Sequence, residues 1–149
     1  NMLYLLIFGN NVEDAMGHVR YLLFYLVSGI AAALTMAFMS PYSLIPMVGA
    51  SGAISGVLGA YVLLYPRAKV RVILPWGFAI FYPFRIGAMW VVGFWFALQL
   101  FNAVFSDASQ PGVAWWAHVG GFIVGLVLTP LLKSGDVPLF GEPRRGPWG

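Results

Sequence analysis

The sequence predicts an all-α protein, a polytopic bundle of transmembrane helices. Three observations predict it. Of the 149 residues, 60% belong to the hydrophobic set and only 9% are charged, against about 25% charged in an ordinary soluble domain. The mean hydropathy is +0.83. The charges are also unevenly placed, with none between Arg20 and Arg67, between Arg85 and Asp107, or between Asp107 and Lys133. A bilayer core about 30 Å thick needs roughly 20 apolar residues in a helix. The first gap is long enough for two crossings and each of the others for one. This composition excludes a disordered chain and a surface-charged soluble enzyme.

The elements follow in order. Asn1 to Phe8 reads as the end of a span, and Gly9 to Arg20 as a short polar loop. Tyr21 to Met39 is the next span. Ser40-Pro41-Tyr42-Ser43-Leu44-Ile45-Pro46 ends it with turn chemistry. A helix then runs from Ser51 to Tyr65 and stops at Pro66. Arg67 to Arg85 is expected to be a loop with an interfacial piece around Val70 to Leu74. Ile86 to Val104 is a span, Ser106 to Gly112 a loop, and Val113 to Leu132 the last span. The chain thus divides into a membrane part, residues 1–132, and a Pro- and Gly-rich tail, residues 133–149, expected to be disordered.

The net charge is +3, and its placement gives it meaning. The loops at 9–20 and 66–85 and the tail hold Arg20, Arg67, Lys69, Arg71, Arg85, Lys133, Arg144 and Arg145, which is every basic residue. The opposite loops, near 40–50 and 105–112, hold only Asp107. By the positive-inside rule the C-terminus is cytoplasmic. Basic residues this few cannot build a phosphate-binding face, so nucleic acid is excluded as a partner. The sequence has no cysteine, so it offers no disulfide, thiol nucleophile or cysteine-ligated metal.

One element is too short. Ser51 to Tyr65 spans about 22 Å at 1.5 Å per residue, less than a crossing. With Tyr65 at the cytoplasmic interface, Ser51 lies inside the membrane, below the outer surface. A polar helix start at that depth needs protein or water around it, which marks it as a candidate functional site. Gly49-Ala50-Ser51-Gly52 places a serine there, where free N–H groups and the positive helix end favour an oxyanion. Taken alone, the same residues read equally as an N-cap with packing glycines.

His118 is the sole histidine in a predicted span. Gly121 and Gly125 lie at i+3 and i+7 on its helical face. Gly52, Gly56 and Gly59 give the Ser51 helix a similar face, and two such faces pack readily. That pairing brings His118 near Ser51. All five acids lie in loops or the tail, so a serine hydrolase built here uses a Ser–His dyad and not a Ser-His-Asp triad. Asn1 carries an amide that suits an oxyanion hole or an interhelical hydrogen bond. His18 reads as a solvated surface histidine without a partner. Two separated histidines make no metal site, and no cofactor is expected.

These residues resemble the rhomboid intramembrane serine proteases. Gly49-Ala50-Ser51-Gly52 resembles the family's GxSG nucleophile motif at the start of its fourth span. Ala117-His118-Val119-Gly120-Gly121-Phe122-Ile123-Val124-Gly125, preceded by Trp115-Trp116, is similar to its AHxxGxxxG motif in the sixth. Asn1, the apolar stretch after it, Gly9 and Val12-Glu13 resemble the second span and the loop that follows. The resemblance reaches to about Leu132. It implies a rhomboid-like six-helix core, of which about four and a half spans are present.

It also implies Ser51 as nucleophile, His118 as general base, and Asn1, with Gly49 and Gly52, at the oxyanion and substrate site. The implied activity is cleavage of transmembrane protein substrates near the outer face of the lipid bilayer. The implied setting is a bacterial plasma membrane. The resemblance implies substrate entry at the fifth span, rich in Trp90, Phe94, Trp95, Phe96 and Phe101, and at the 105–113 loop, which are proposed to move as gate and cap in the family, although lipid-facing bulk explains the same residues. The start at Asn1 leads us to expect a piece that lacks the first span, the large loop after it and an upstream oxyanion histidine. Such a piece is expected to be inactive by itself. Ser55 stands where the family often has an aromatic ring, and its hydroxyl is expected to bond the imidazole or a water. An inactive relative that binds transmembrane segments is the alternative; it predicts loss of the serine or the histidine, and both are present.

Overall fold

A computed structural model describes residues 1–43, 46–76, 80–106 and 113–142, with the backbone alone for 72–76 and 80–84. Asp107, the loop at 107–112 and the tail beyond 142, with Arg144 and Arg145, lie outside the described residues. The chain opens with α1 (Met2–Tyr4), a π-helical stretch (Leu5–Gly9) and α2 (Asn10–Met16), followed by α3 (His18–Met39) and α4 (Ser51–Leu64). A hairpin of β1 (Lys69–Trp76) and β2 (Ile80–Gly87) leads to α5 (Ala88–Phe105) and α6 (Trp115–Leu132).

The bundle is apolar on its outer surface as well as in its core. Along α3, the large residues Leu22, Leu26, Ile30, Leu34 and Phe38 recur every fourth position and are exposed, while Phe24, Ser28 and Ala32 face inward. Water would penalise that outer stripe, whereas lipid is as apolar as the side chains themselves. Among the described residues, α3, α5 and α6 are long and apolar enough to cross a membrane.

The short α4 is the centre. Nearly all of it is buried, and it packs on α3, α5, α6 and the first helical stretches. Its approach to α6 is a backbone-to-backbone contact. A methyl added at Gly121 would overlap the Gly52 carbonyl, and one at Gly125 the Gly56 carbonyl. With no hydrophobic drive between helices in lipid, such close packing is what holds them together. Beside this seam α3 closes in as well, with Gly52 meeting Ala32 and Gly56 meeting Ser28. The C-terminal half of α4 is clasped by the first helix, through Phe8 edge-on to Tyr61, 4.9 Å between ring centres, and Tyr65 donating to the Asn11 carbonyl at 3.3 Å.

Three expectations are corrected. Residues 9–20 are not a loop: the helix continues to Met16, breaks at Gly17 with φ of 82°, and α3 starts at His18. The region 67–85 is not a loop but an antiparallel hairpin, with Val70 opposite Ile86 and Arg71 opposite Arg85. The run of β-branched and aromatic residues suits a pleated ribbon. Its base is tied by Ala88 N–H to the Ala68 carbonyl at 2.7 Å and Met89 N–H to the Pro66 carbonyl at 3.1 Å. The tail residues 133–142 are not disordered but fold back onto the bundle. Val137 is buried, the Ser134 N–H donates to Ala15 O at 2.8 Å, and the Phe140 N–H donates to Leu63 O at 3.0 Å. These contacts cover the C-terminal ends of α2 and α4.

Candidate functional site

The site is assembled where α4 begins. Gly49 has φ of 127°, a conformation costly to any residue with a Cβ. It turns the chain so that Ala50 forms the N-cap and Ser51 the first helical residue. Ser51 is therefore not the cap itself. The N–H groups of this first turn have no acceptor within the helix, and the positive helix end adds to their pull on an anion.

His118 stands one turn into α6 and meets the start of α4 because the two helices touch along their glycine faces. Its Nε2 lies 2.8 Å from Ser51 Oγ. Its Nδ1 lies 2.7 Å from Gln99 Oε1 of α5. Among the described residues no carboxylate bonds the ring. Trp95, one turn before Gln99, tilts over the imidazole at 5.9 Å between centres. Trp115 approaches edge-on at 6.3 Å.

A cavity of about 870 Å³ has both Ser51 and His118 in its wall. Ala32 and Met36 of α3, Ala103 of α5 and the 46–50 segment complete much of the lining. Asn1 approaches the same place. A methyl at Gly49 would lie 3.9 Å from Ser51 Oγ and 4.0 Å from Asn1 Nδ2, so the serine hydroxyl and the amide border one small space. Gly52 sits at the back of it, against Ala32.

The arrangement is a hydroxyl hydrogen-bonded to an imidazole beside unpaired helix N–H groups and a side-chain amide. Chemically it can activate the hydroxyl as a nucleophile and receive the oxyanion that results. No group of three His, Cys, Asp or Glu suited to a metal occurs among the described residues.

Two readings of single residues change. Ser55 Oγ donates to the Ser51 carbonyl at 2.7 Å and not to the imidazole; a helical serine reaches its i−4 carbonyl more easily than a neighbouring helix. The rings beside His118 come instead from Trp95 and Trp115. His18 is not without a partner: its Nδ1 meets Glu13 Oε1 at 2.7 Å across the break at Gly17. The residue that sequence reasoning missed is Gln99. Its signal was available: an amide in the middle of an uncharged span is costly in lipid unless it faces a partner.

The aromatic residues of α5 divide. Trp90, Phe94 and Phe101 are exposed on the outer face. Trp95 reaches His118, and Phe96 stacks on Phe122 of α6 at 4.2 Å.

Comparison with known proteins adds the family. Residues 1–135 match the model of the rhomboid domain. The chain is 30% identical over 131 residues to Rhomboid protein 1, mitochondrial, of Saccharomyces cerevisiae, covering 85% of this chain and 35% of that protein. It is 30% identical over 142 residues to Rhomboid protease AarA of Providencia stuartii, covering 87% and 48% respectively. It is 45% identical over 71 residues to Rhomboid protease GluP of Bacillus subtilis, covering 48% and 13%. The chain thus spans about a third of the yeast relative and about half of AarA. No solved structure matches it significantly. The apolar helices and these relatives together make it an integral multi-pass membrane protein. The chain belongs to the rhomboid family, which includes intramembrane serine proteases.

Proposed function

We propose that this chain carries the catalytic core of an intramembrane serine endopeptidase that cleaves transmembrane segments near the outer membrane face. The observation that supports this best is the 2.8 Å bond between Ser51 Oγ and His118 Nε2, in the wall of a cavity large enough for a peptide segment. His118 takes the Ser51 proton as general base. Ser51 Oγ attacks the peptide carbonyl, and the Ser51 backbone N–H and the Asn1 amide receive the oxyanion. Each well-placed donor contributes roughly 3 kcal/mol on mutational precedent. His118 then protonates the leaving amine, and the acyl-enzyme is hydrolysed by water activated at the same nitrogen. Water reaches Ser51 through the cavity, because α4 is too short to fill the outer part of the membrane. The eight basic residues favour an orientation with the C-terminus in the cytoplasm.

The test is cleavage of a membrane-anchored substrate by the full-length protein in liposomes. Ser51→Ala and His118→Ala should each abolish cleavage, and a fluorophosphonate should label Ser51 in the wild type alone. Activity retained in both variants would sink the dyad.

A further inference from the structure

Gln99 touches the Ser51–His118 pair, yet no motif in the sequence names it. We propose that Gln99 is a positioning residue: its amide oxygen holds His118 in the Nδ1–H tautomer, leaving the Nε2 lone pair directed at Ser51. The inference rests on the dyad reading above.

A neutral imidazole carries one N–H, and its tautomer is set by what each nitrogen meets. With the proton on Nε2, His118 could only donate to Ser51 Oγ and could not accept the serine proton. With the proton on Nδ1, the Nε2 lone pair accepts from the serine hydroxyl. Gln99 Oε1, 2.7 Å from Nδ1, selects the second state. In this placement the carbonyl oxygen accepts only, so an unprotonated Nδ1 would face it lone pair to lone pair. The amide turned over would present N–H donors and favour the other tautomer, and protonation of Nε2 in the wild type would overturn the proposal. Both residues are buried, Gln99 at 6% and His118 at 9% relative exposure, so bulk water is poorly placed to supply a substitute acceptor. Trp95, on the same face of α5 one turn earlier, fixes the ring from the side.

The choice of an amide over a carboxylate follows from the setting. Among the described residues, α5 carries no charge from Ala88 to Phe105. A carboxylate in this span would bring the cost of a charge at membrane depth. A neutral oxygen fixes the tautomer without it. When His118 takes up the serine proton, both ring nitrogens become donors, and Gln99 Oε1 still satisfies Nδ1. Gln99 thus supplies the orienting half of a triad's third residue and leaves out its charge.

The test uses the full-length protein labelled with ¹⁵N-histidine in bilayers, with the ring signals of His118 assigned by their loss in His118→Asn. Solid-state NMR reports the tautomer, and cleavage of a membrane-anchored substrate reports kcat and KM. The wild type should show Nδ1 protonated. Gln99→Leu should give mixed tautomers and lower kcat by about 10- to 100-fold, by analogy with the loss seen when the orienting partner of a metal-ligating histidine is removed. KM should stay within about two-fold, since substrate contacts are untouched. Gln99→Glu, which keeps an acceptor oxygen, should restore the tautomer and most of the rate while lowering thermal stability, the cost of a carboxyl at this depth. Gln99→Met, closest in length, repeats the test should the leucine variant not fold. An unchanged kcat or an unchanged tautomer in the variant lacking the acceptor overturns the role of Gln99 while leaving the dyad in place. Cleavage that survives Ser51→Ala overturns the dyad instead.

Discussion

Replacing Gly52 with alanine tests how tightly the site depends on helix spacing. A methyl at this position would sit 2.5 Å from Ala32 Cβ of α3. Carbon atoms in contact settle at about 3.5–4.0 Å, so roughly 1.0–1.5 Å of separation must be found. Neither partner can rotate away, because both methyls are fixed to helical backbone. Retreat toward α6 is closed as well, because Gly52 already supports Gly121 backbone to backbone. Overpacking of this kind costs about 1–3 kcal/mol.

Ser51 precedes Gly52 and moves with it. A shift of half that size would stretch its 2.8 Å bond to His118 beyond ordinary hydrogen-bond range. Misplacement on the order of 1 Å can lower a rate by about 10²-fold. Gly52→Ala should therefore lose stability by thermal unfolding in detergent and lose most cleavage activity. Ala32→Gly should relieve it, because it deletes the opposing methyl. By itself Ala32→Gly should cost about 1 kcal/mol from helix propensity. The double variant should then be more stable than the sum of the single effects predicts, by at least about 1 kcal/mol. Strictly additive effects, or wild-type stability in Gly52→Ala, would refute the steric argument.

Other expectations are simpler. Gly49→Ala places a Cβ at φ of 127°; backbone strain of this kind costs about 1–3 kcal/mol, read as a lower unfolding temperature together with reduced kcat. Asn1→Ala removes one oxyanion donor from the proposed site and should lower kcat by about 10²–10³-fold in the full-length protein; a kcat within a few-fold of wild type would remove Asn1 from that role. Phe96→Ala should weaken the hold of α5 on α6 by removing a stacked pair, a contact worth about 0.5–1.5 kcal/mol beyond its buried area. If α5 admits substrate, turnover in liposomes should rise, and an unchanged rate argues against that route. Trp95→Ala should behave oppositely and lower kcat, because Trp95 also borders His118.

The sequence carried the spans, the side on which the basic residues gather and the short helix, because each is a local demand. Every crossing must satisfy the same bilayer thickness by itself, and every charge must find an aqueous side. The glycine faces of Gly52, Gly56 and Gly59 and of Gly121 and Gly125 were legible too, since small residues at helical spacing announce a close partner. That Ser51 and His118 come within hydrogen-bond reach follows from those two faces meeting.

The hairpin at 69–87 was less legible. Its strands alternate poorly between apolar and polar, and the 67–85 region reads as an ordinary interhelical connection until the pairing of Val70 with Ile86 is seen. Ser55 and the partners of His118 could not be read at all. A serine facing inward has a choice between its own helix carbonyl and a neighbouring ring, and only the actual rotation of α4 settles it for the Ser51 carbonyl. Gln99 marked itself as a polar residue in lipid, but which of the surrounding helices it would meet depends on how α5 leans on α6. The sequence therefore determined which residues are chemically capable and which segments are apolar enough to cross a membrane. The tertiary structure decided which atoms face each other, because side-chain contacts between helices depend on rotations and offsets that no single span encodes.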